Sequence, residues 1–192
     1  MKFQLKLIYA GNVSNINIQF EHNIFAAMFY LRVTTKECKY ASDKISVPIN
    51  VGNQMMREDT FCVKLSYHGN SVYAKATEYD APFANAIIPT SLCDRLSVGD
   101  GDIINVSIIK SNKITEMKIS SPKIVENPLS ILNYLLKDKQ IISTGEIVRV
   151  KIFDKIYEFV ILNLKTSDGD AEMGLLYGSD LVADVAIDIE YT

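Results

Sequence analysis

Histidine and cysteine, the residues that most often hold metals or do nucleophilic chemistry, are scarce in this chain. Its 192 residues contain two histidines and three cysteines. His22 and His68 share no metal-ligand spacing with each other or with Cys38, Cys62 and Cys93, and no CxxC pair exists, so a tetrahedral metal site has no signature here. An odd number of well-separated cysteines fits a reducing, cytoplasmic compartment and three buried or half-buried thiols rather than a disulfide framework. Neither a GxGxxG nor a Walker-type loop occurs, so no nucleotide cofactor is expected. No apolar run reaches the roughly 18 residues of a membrane span, residues 24–31 being the longest local candidate. Lysine and arginine do not cluster, and the net charge is −3. That balance argues against a nucleic-acid footprint and against attraction to anionic membranes. In the first 20 residues Phe3, Leu5 and Leu7, and then Ile16, Ile18 and Phe20, recur at every second position, which is strand patterning rather than the continuous apolar block of a signal peptide. Asn12-Val13-Ser14 and Asn105-Val106-Ser107 match the glycosylation pattern, but without an export signal they read as chance matches.

The hydrophobic content of 48% is enough to bury a core in one domain or two small ones. Residues 1–22 read as a β-hairpin with Ala10-Gly11-Asn12 as turn material. Residues 24–33 are a dense apolar run, expected as a fully buried strand. A short unit then occurs twice. Lys44-Ile45-Ser46-Val47-Pro48-Ile49 leads into 51–56, and Ala86-Ile87-Ile88-Pro89-Thr90-Ser91 leads into 92–96. Each is a strand, a proline able to open a helix, and an amphipathic turn of helix. Two copies suggest an internally duplicated small barrel, although two coincidental proline turns would look the same. Between them, 60–67 and 71–77 read as strands around His68-Gly69-Asn70. Residues 103–109 read as another strand after the turn at 98–102.

Near Lys118 the pattern changes. Ser120-Ser121-Pro122 is linker-like, and Asn127-Pro128 opens a helix striped by Leu129, Leu132, Leu135 and Leu136, with Ile131 widening the stripe. That stripe is core rather than a cofactor site. Residues 145–162 then read as a tight antiparallel hairpin. With Asp154-Lys155 as the turn, Ile152 faces Tyr157, Val150 faces Phe159, Val148 faces Ile161, and Lys151 faces Glu158 across the other side. Asp-Lys is a weak turn signal, so a longer loop is an alternative. Residues 166–170 form an acidic, glycine-containing loop. Residues 183–191 alternate Val185, Ile187 and Ile189 against Asp184, Asp188 and Glu190, as a last strand with one wet face.

Catalytic constellations are not legible. Asp100/Asp102 and Asp168/Asp170 each flank a glycine, but the ligand series of a calcium loop is missing, and they read as turn residues. Asp59-Thr60-Phe61 lacks the glycine of an aspartic-protease loop. Gly178-Ser179 is the bond type cleaved in self-processing pyruvoyl enzymes, though a lone Gly-Ser is usually a turn. A cysteine–histidine pair formed in space has no supporting signal.

From about residue 24 onward, the order of elements resembles the N-terminal domain of the ubiquitin fusion degradation protein 1 family. The resemblance is carried by Lys44-Ile45-Ser46-Val47-Pro48, by residues 61–65, by Ile88-Pro89 through Leu96 with 99–106, and by Asn127-Pro128 with its leucine helix. Its closest part is Ser143-Thr144-Gly145-Glu146-Ile147-Val148 with Asp154-Lys155-Ile156-Tyr157-Glu158. It implies a β-rich α+β fold, a double-psi β-barrel followed by a small α/β-roll. The expected division is 1–117, including extra N-terminal strands over 1–22, and 118–192. The implied role is non-enzymatic, with no cofactor: binding of ubiquitin and polyubiquitin, and adaptation of substrates to the AAA+ unfoldase valosin-containing protein together with a partner of the nuclear protein localisation 4 family. The setting is ubiquitin-dependent degradation in the cytoplasm, at the endoplasmic-reticulum surface or in the nucleus. In the family, the segments that grip unfoldase and partner lie beyond the region matching this chain, so ubiquitin recognition is the part expected here. No short motif marks ubiquitin contacts. Met55 and Met56 are adaptable apolar candidates, against the alternative that they pack the first helix onto the barrel. Two other readings keep the fold: a module repurposed for an organelle protein-import system, and a double-psi-barrel enzyme.

Overall fold

The computed structural model describes residues 5–9, 12–16, 27–38, 42–136, 139–152, 154–176 and 185–192. Strands β1 (Leu5–Tyr9) and β2 (Asn12–Ile16) pair antiparallel with Tyr9 opposite Asn12, as the hairpin expected at the N-terminus.

Six strands then close a barrel. They are β3 (Met28–Lys36), β4 (Lys44–Ser46), β5 (Cys62–Tyr67), β6 (Asn70–Glu78), β7 (Asn85–Pro89) and β8 (Ile103–Ile109), in the ring order β3-β7-β4-β6-β5-β8. Helix α1 (Ile49–Arg57) follows β4, and α2 (Thr90–Leu96) follows β7. The repeated proline units are these two strand–helix junctions. Pro48 and Pro89 each occupy the N-cap with φ near −60°, where a missing N–H costs nothing. The duplication extends to the strand pairing. Exchange β3, β4 and β5 with β6, β7 and β8, and the list is unchanged. Parallel β3–β7 becomes parallel β6–β4, antiparallel β3–β8 becomes antiparallel β6–β5, and β4–β7 and β5–β8 map onto themselves. The β5–β6 turn is His68-Gly69, with φ of 44° and 91°, the left-handed pair that a two-residue hairpin requires.

Alternation fills the barrel. Leu31, Val33, Val63, Leu65, Val72, Ala74, Ile104 and Val106 point inward and are buried with Val51 and Met55 of α1 and Leu92 and Leu96 of α2. Of the run at 24–33, residues 24–26 lie outside the described residues, and the rest is not a fully buried strand. In β3 only Leu31 and Val33 are buried, while Met28 and Tyr30 face out, because a barrel wall has one inner face.

The second unit begins with β9 (Ile114–Ser121), so the change of character near Lys118 falls inside a strand that belongs wholly to the second sheet. That sheet runs β11-β12-β9-β15, with β11 (Ile147–Ile152), β12 (Lys155–Thr166) and β15 (Ala186–Tyr191); β13 (Gly169–Ala171) pairs with the end of β12. A separate pair joins β10 (Ile141–Ser143) to β14 (Met173–Leu175). Helix α3 (Pro128–Leu136) buries Leu132 and Leu136, half-buries Ile131 and Leu135 against the sheet's core of Met117, Ile119, Phe159 and Ile161, and leaves Leu129 at the surface. The carbonyl of Asn127 accepts from Ser130 and Ile131, so the helix starts where Asn-Pro signalled.

The hairpin at 145–162 forms with a corrected register. Val148 pairs with Phe159, Val150 with Tyr157 and Ile152 with Lys155, so the ladder closes one residue before the expected Asp154-Lys155 turn. The faces survive this shift because moving the turn by one residue changes each partner by two, and side chains repeat every two. The charge pair changes: Arg149, not Lys151, meets Glu158 and bonds it, and Lys151 faces Ile156. Residues 166–170 are likewise tighter than a loop, since Thr166 pairs with Gly169. The final strand matches its pattern, with Val185 buried and Ile187 and Ile189 packed on the core.

The described residues form a β-rich α+β fold: a closed six-stranded barrel, a second sheet and three helices. No helix among them is long and apolar enough to cross a membrane.

Candidate protein-binding groove

The two units meet through a small apolar cluster of Cys62, Ile141, Met173 and Leu175, flanked by Tyr73 and Ile109. Polar groups cross the same junction. The buried carboxylate of Asp43, just before β4, accepts the N–H of Gln140 at 3.0 Å and of Ile141 at 2.9 Å. The Tyr73 hydroxyl donates to Glu172 at 2.7 Å, and Arg95 of α2 reaches Glu146 at 3.5 Å. Glu146 also bonds Lys139 and takes the Ser143 N–H at 3.3 Å, while its own N–H donates to the Ser143 carbonyl. Gly145 between them sits at φ 80°, which favours glycine. The Ser143–Glu146 stretch is thus a reciprocal turn whose carboxylate also anchors the barrel. A cleft of about 430 Å³ lies over it, lined by Tyr73, Arg95, Glu146 and Glu172 among others, but its polar groups bond one another.

A larger groove of about 750 Å³ opens at the far end of the second sheet. One wall is the loop after β9, from Ser121 to Glu126, and the other is the start of β12, from Lys155 to Glu158. The loop is fixed by Val125, buried in the core, and by the Ser121 hydroxyl donating to the Lys123 carbonyl at 2.9 Å. With Val125 turned inward, its neighbour Ile124 is 86% exposed, and across the groove Ile156 is 63% exposed. Two large apolar side chains standing this far into solvent within one concave surface are the pattern of a contact site rather than of packing. The rim is polar: Lys123, Glu126, Asp154, Lys155 and Glu158, the last engaged by Arg149.

Residues singled out from sequence lie elsewhere. Met55 is fully buried in the barrel, as packing predicts, and Met56 is exposed on α1 with Ile49, away from the groove. Cys62 and Cys93 are buried and unpaired, but Cys38 is exposed, so the expectation of three sheltered thiols holds for two. Burial pushes the Cys62 thiol up to about 11, and burial likewise raises Cys93, the wrong direction for nucleophiles. His68 serves the β5–β6 turn, edge-on to Tyr67; His22 lies outside the described residues. Asp100 accepts from the Thr35 N–H and Asp102 from the Gly99 N–H, and Asp168 and Asp170 accept from Asn112 and Asn163, so each aspartate has a structural partner. Thr60 donates to the Ile109 carbonyl, which gives Asp59-Thr60-Phe61 a structural task. Gly178-Ser179 lies outside the described residues. Among the described residues no cluster of His, Cys, Asp and Glu has the arrangement of a metal site.

The groove residues Ile124 and Ile156 carried no sequence signal of their own. Isoleucine at 156 fits any strand, and Pro122 read only as a linker. No known protein-family model matches this chain, and none of the curated proteins matches it.

Proposed function

We propose that this chain is a non-catalytic, ubiquitin-chain-binding adaptor domain of the kind found in the ubiquitin fusion degradation protein 1 family, and that its barrel is of the double-psi type. The single observation that carries the reading is the order of architecture. A six-stranded barrel whose pairing is unchanged on exchanging its halves, each with a Pro-capped helix, is followed by a leucine-helix-and-sheet unit. The motifs that carry the resemblance fall on its key joints. Pro48 and Pro89 cap the barrel helices, and Ser143 to Glu146 forms the turn that ties the units together. Exposed apolar residues with polar rims suit a partner surface better than a reaction chamber.

Ubiquitin binding by such a surface is weak for one copy, because a small interface leaves little surplus after the cost of association. A chain engaging two sites gains by effective concentration, by roughly 10²–10⁴ where geometry allows. Titration of isotope-labelled protein with ubiquitin monomer and then with chains tests the reading. Localised amide shifts with tighter binding by chains are expected. Absence of any shift at millimolar ubiquitin would end the ubiquitin reading and leave the same fold as a repurposed protein-binding module.

A further inference from the structure

Strand β12 is longer than the neighbour that should cover it. The β9–β12 ladder runs Val160 to Ser120 and Ile161 to Ile119, so continuing the register would set Glu158 opposite residue 122. That residue is Pro122, which has no N–H, and there β9 ends. The start of β12, residues 155–158, therefore runs on with β11 on one side and the groove on the other.

The direction of the backbone groups follows from the strand's alternation. Ile161 both donates its N–H to the Glu146 carbonyl and accepts the Gly145 N–H, so its polar groups point toward the β11 side. Two-residue periodicity turns those of Phe159, Tyr157 and Lys155 the same way, and those of Val160, Glu158 and Ile156 toward the β9 side. The closure of the β11–β12 hairpin at Ile152 and Lys155 agrees with this phase. Val160 has Ser120 as its partner. Ile156 and Glu158 have none: among the described residues no backbone bond joins them to residues 122–126.

We infer that the groove is a strand-addition slot, in which an extended, uncharged segment of a partner protein pairs with the backbone of Ile156 and Glu158 and seats an apolar side chain between Ile124 and Ile156. Two donor–acceptor pairs at the two-residue spacing of a ladder match an extended peptide of about four residues, at about 3.3 Å per residue. Charge selects for a neutral occupant. Glu158 is taken by Arg149, and the remaining rim charges, Lys123 and Lys155 against Glu126 and Asp154, cancel. Affinity then comes from backbone bonds and apolar contact, with specificity for β-branched or aliphatic side chains at alternate positions. This goes beyond the ubiquitin reading and stands or falls separately from it.

The test uses a displayed library of random heptapeptides, panned on the whole protein and counter-selected on Ile124→Asp. That variant changes a side chain that is almost wholly exposed, and its fold is checked by its amide spectrum. Expected are enriched peptides that are uncharged, with aliphatic residues at alternate positions. Once synthesised, they should protect the Ile156 and Glu158 amides from exchange. They should weaken by about tenfold or more when N-methylated at the pairing residues, since each such change deletes a hydrogen bond. Their affinity should change less than about twofold between about 0.05 and about 0.5 M salt. No enrichment over the counter-selected variant would overturn the inference, and so would charged winners or indifference to N-methylation. Self-association of the protein that Ile124→Asp abolishes would also overturn it, by assigning the groove to a second copy.

Discussion

Gly52 lies against the ring of Tyr79: a Cβ at position 52 would stand 2.3 Å from the ring's Cδ1. The glycine is buried in the middle of α1, where propensity alone would prefer alanine by about 1 kcal/mol. It is there because the chain leaving β6 must pass close over the helix, with the Tyr79 hydroxyl directed at the Ala76 carbonyl. Gly52→Ala is therefore expected to lose about 1–3 kcal/mol by overpacking, despite its better helix propensity. Urea unfolding measures this. The double variant with Tyr79→Ala should recover part of the loss, and a Gly52→Ala protein as stable as the parent would refute the close approach.

Asp43 is the polar clasp between the units. Asp43→Ala leaves the buried N–H of Ile141 and the half-buried N–H of Gln140 without an acceptor, at a cost of about 1–3 kcal/mol for the buried group and less for the other. Asp43→Asn keeps a carbonyl oxygen and should cost less. Hydrogen exchange gives the sharper readout: both amides should lose protection in Asp43→Ala while the barrel's central strands keep theirs.

Alkaline pH should destabilise the fold in a defined window. Burial pushes the Cys62 thiol from its ordinary 9.0 to about 11 against the pull of Lys75. Burial, reinforced by the hydrogen bond to Glu172, pushes the Tyr73 phenol from 10.0 to about 12. Each group keeps its proton in the folded state at pH values where the unfolded chain has released it. Their contribution is complete below about pH 9 and is lost as pH rises to about 12. Unfolding midpoints across this range should fall. The lower part of the fall should shrink in Cys62→Ala and the upper part in Tyr73→Phe. Variants that follow the parent at every pH would contradict the assignment.

Thiol counting offers a simpler check. Cys38 is exposed while Cys62 and Cys93 are buried. A disulfide reagent should titrate one thiol promptly in native protein and three in denaturant, and Cys38→Ser should abolish the prompt phase.

Much of the fold was legible because it rests on short-range rules. Proline at 48 and 89 starts two helices, His68-Gly69 turns a hairpin, and Leu132, Leu135 and Leu136 of α3 turn inward where their spacing puts them, while Leu129 stays at the surface. What sequence misplaced depends on partners it does not display. Residues 24–33 are apolar except for Arg32, yet only a closed barrel decides that Tyr30 faces out. The turn of the β11–β12 hairpin moved by one residue, because the pairing of Arg149 with Glu158 and that of Lys151 with Glu158 satisfy charge equally well. The groove was illegible for a stronger reason. It exists because one strand outlasts another by four residues, and the relative lengths of β9 and β12 emerge only once Ser120 is set against Val160.

The barrel's closure has a mechanical side. Met28, where its first strand begins, pairs with Ser107, close to where its last strand ends, and the two strands run antiparallel. Traction applied between those ends loads the β3–β8 bonds one after another, from the Met28 end inward, instead of all at once. A ring sealed in this way resists being sheared along its strands but opens like a zip when drawn by its own two ends.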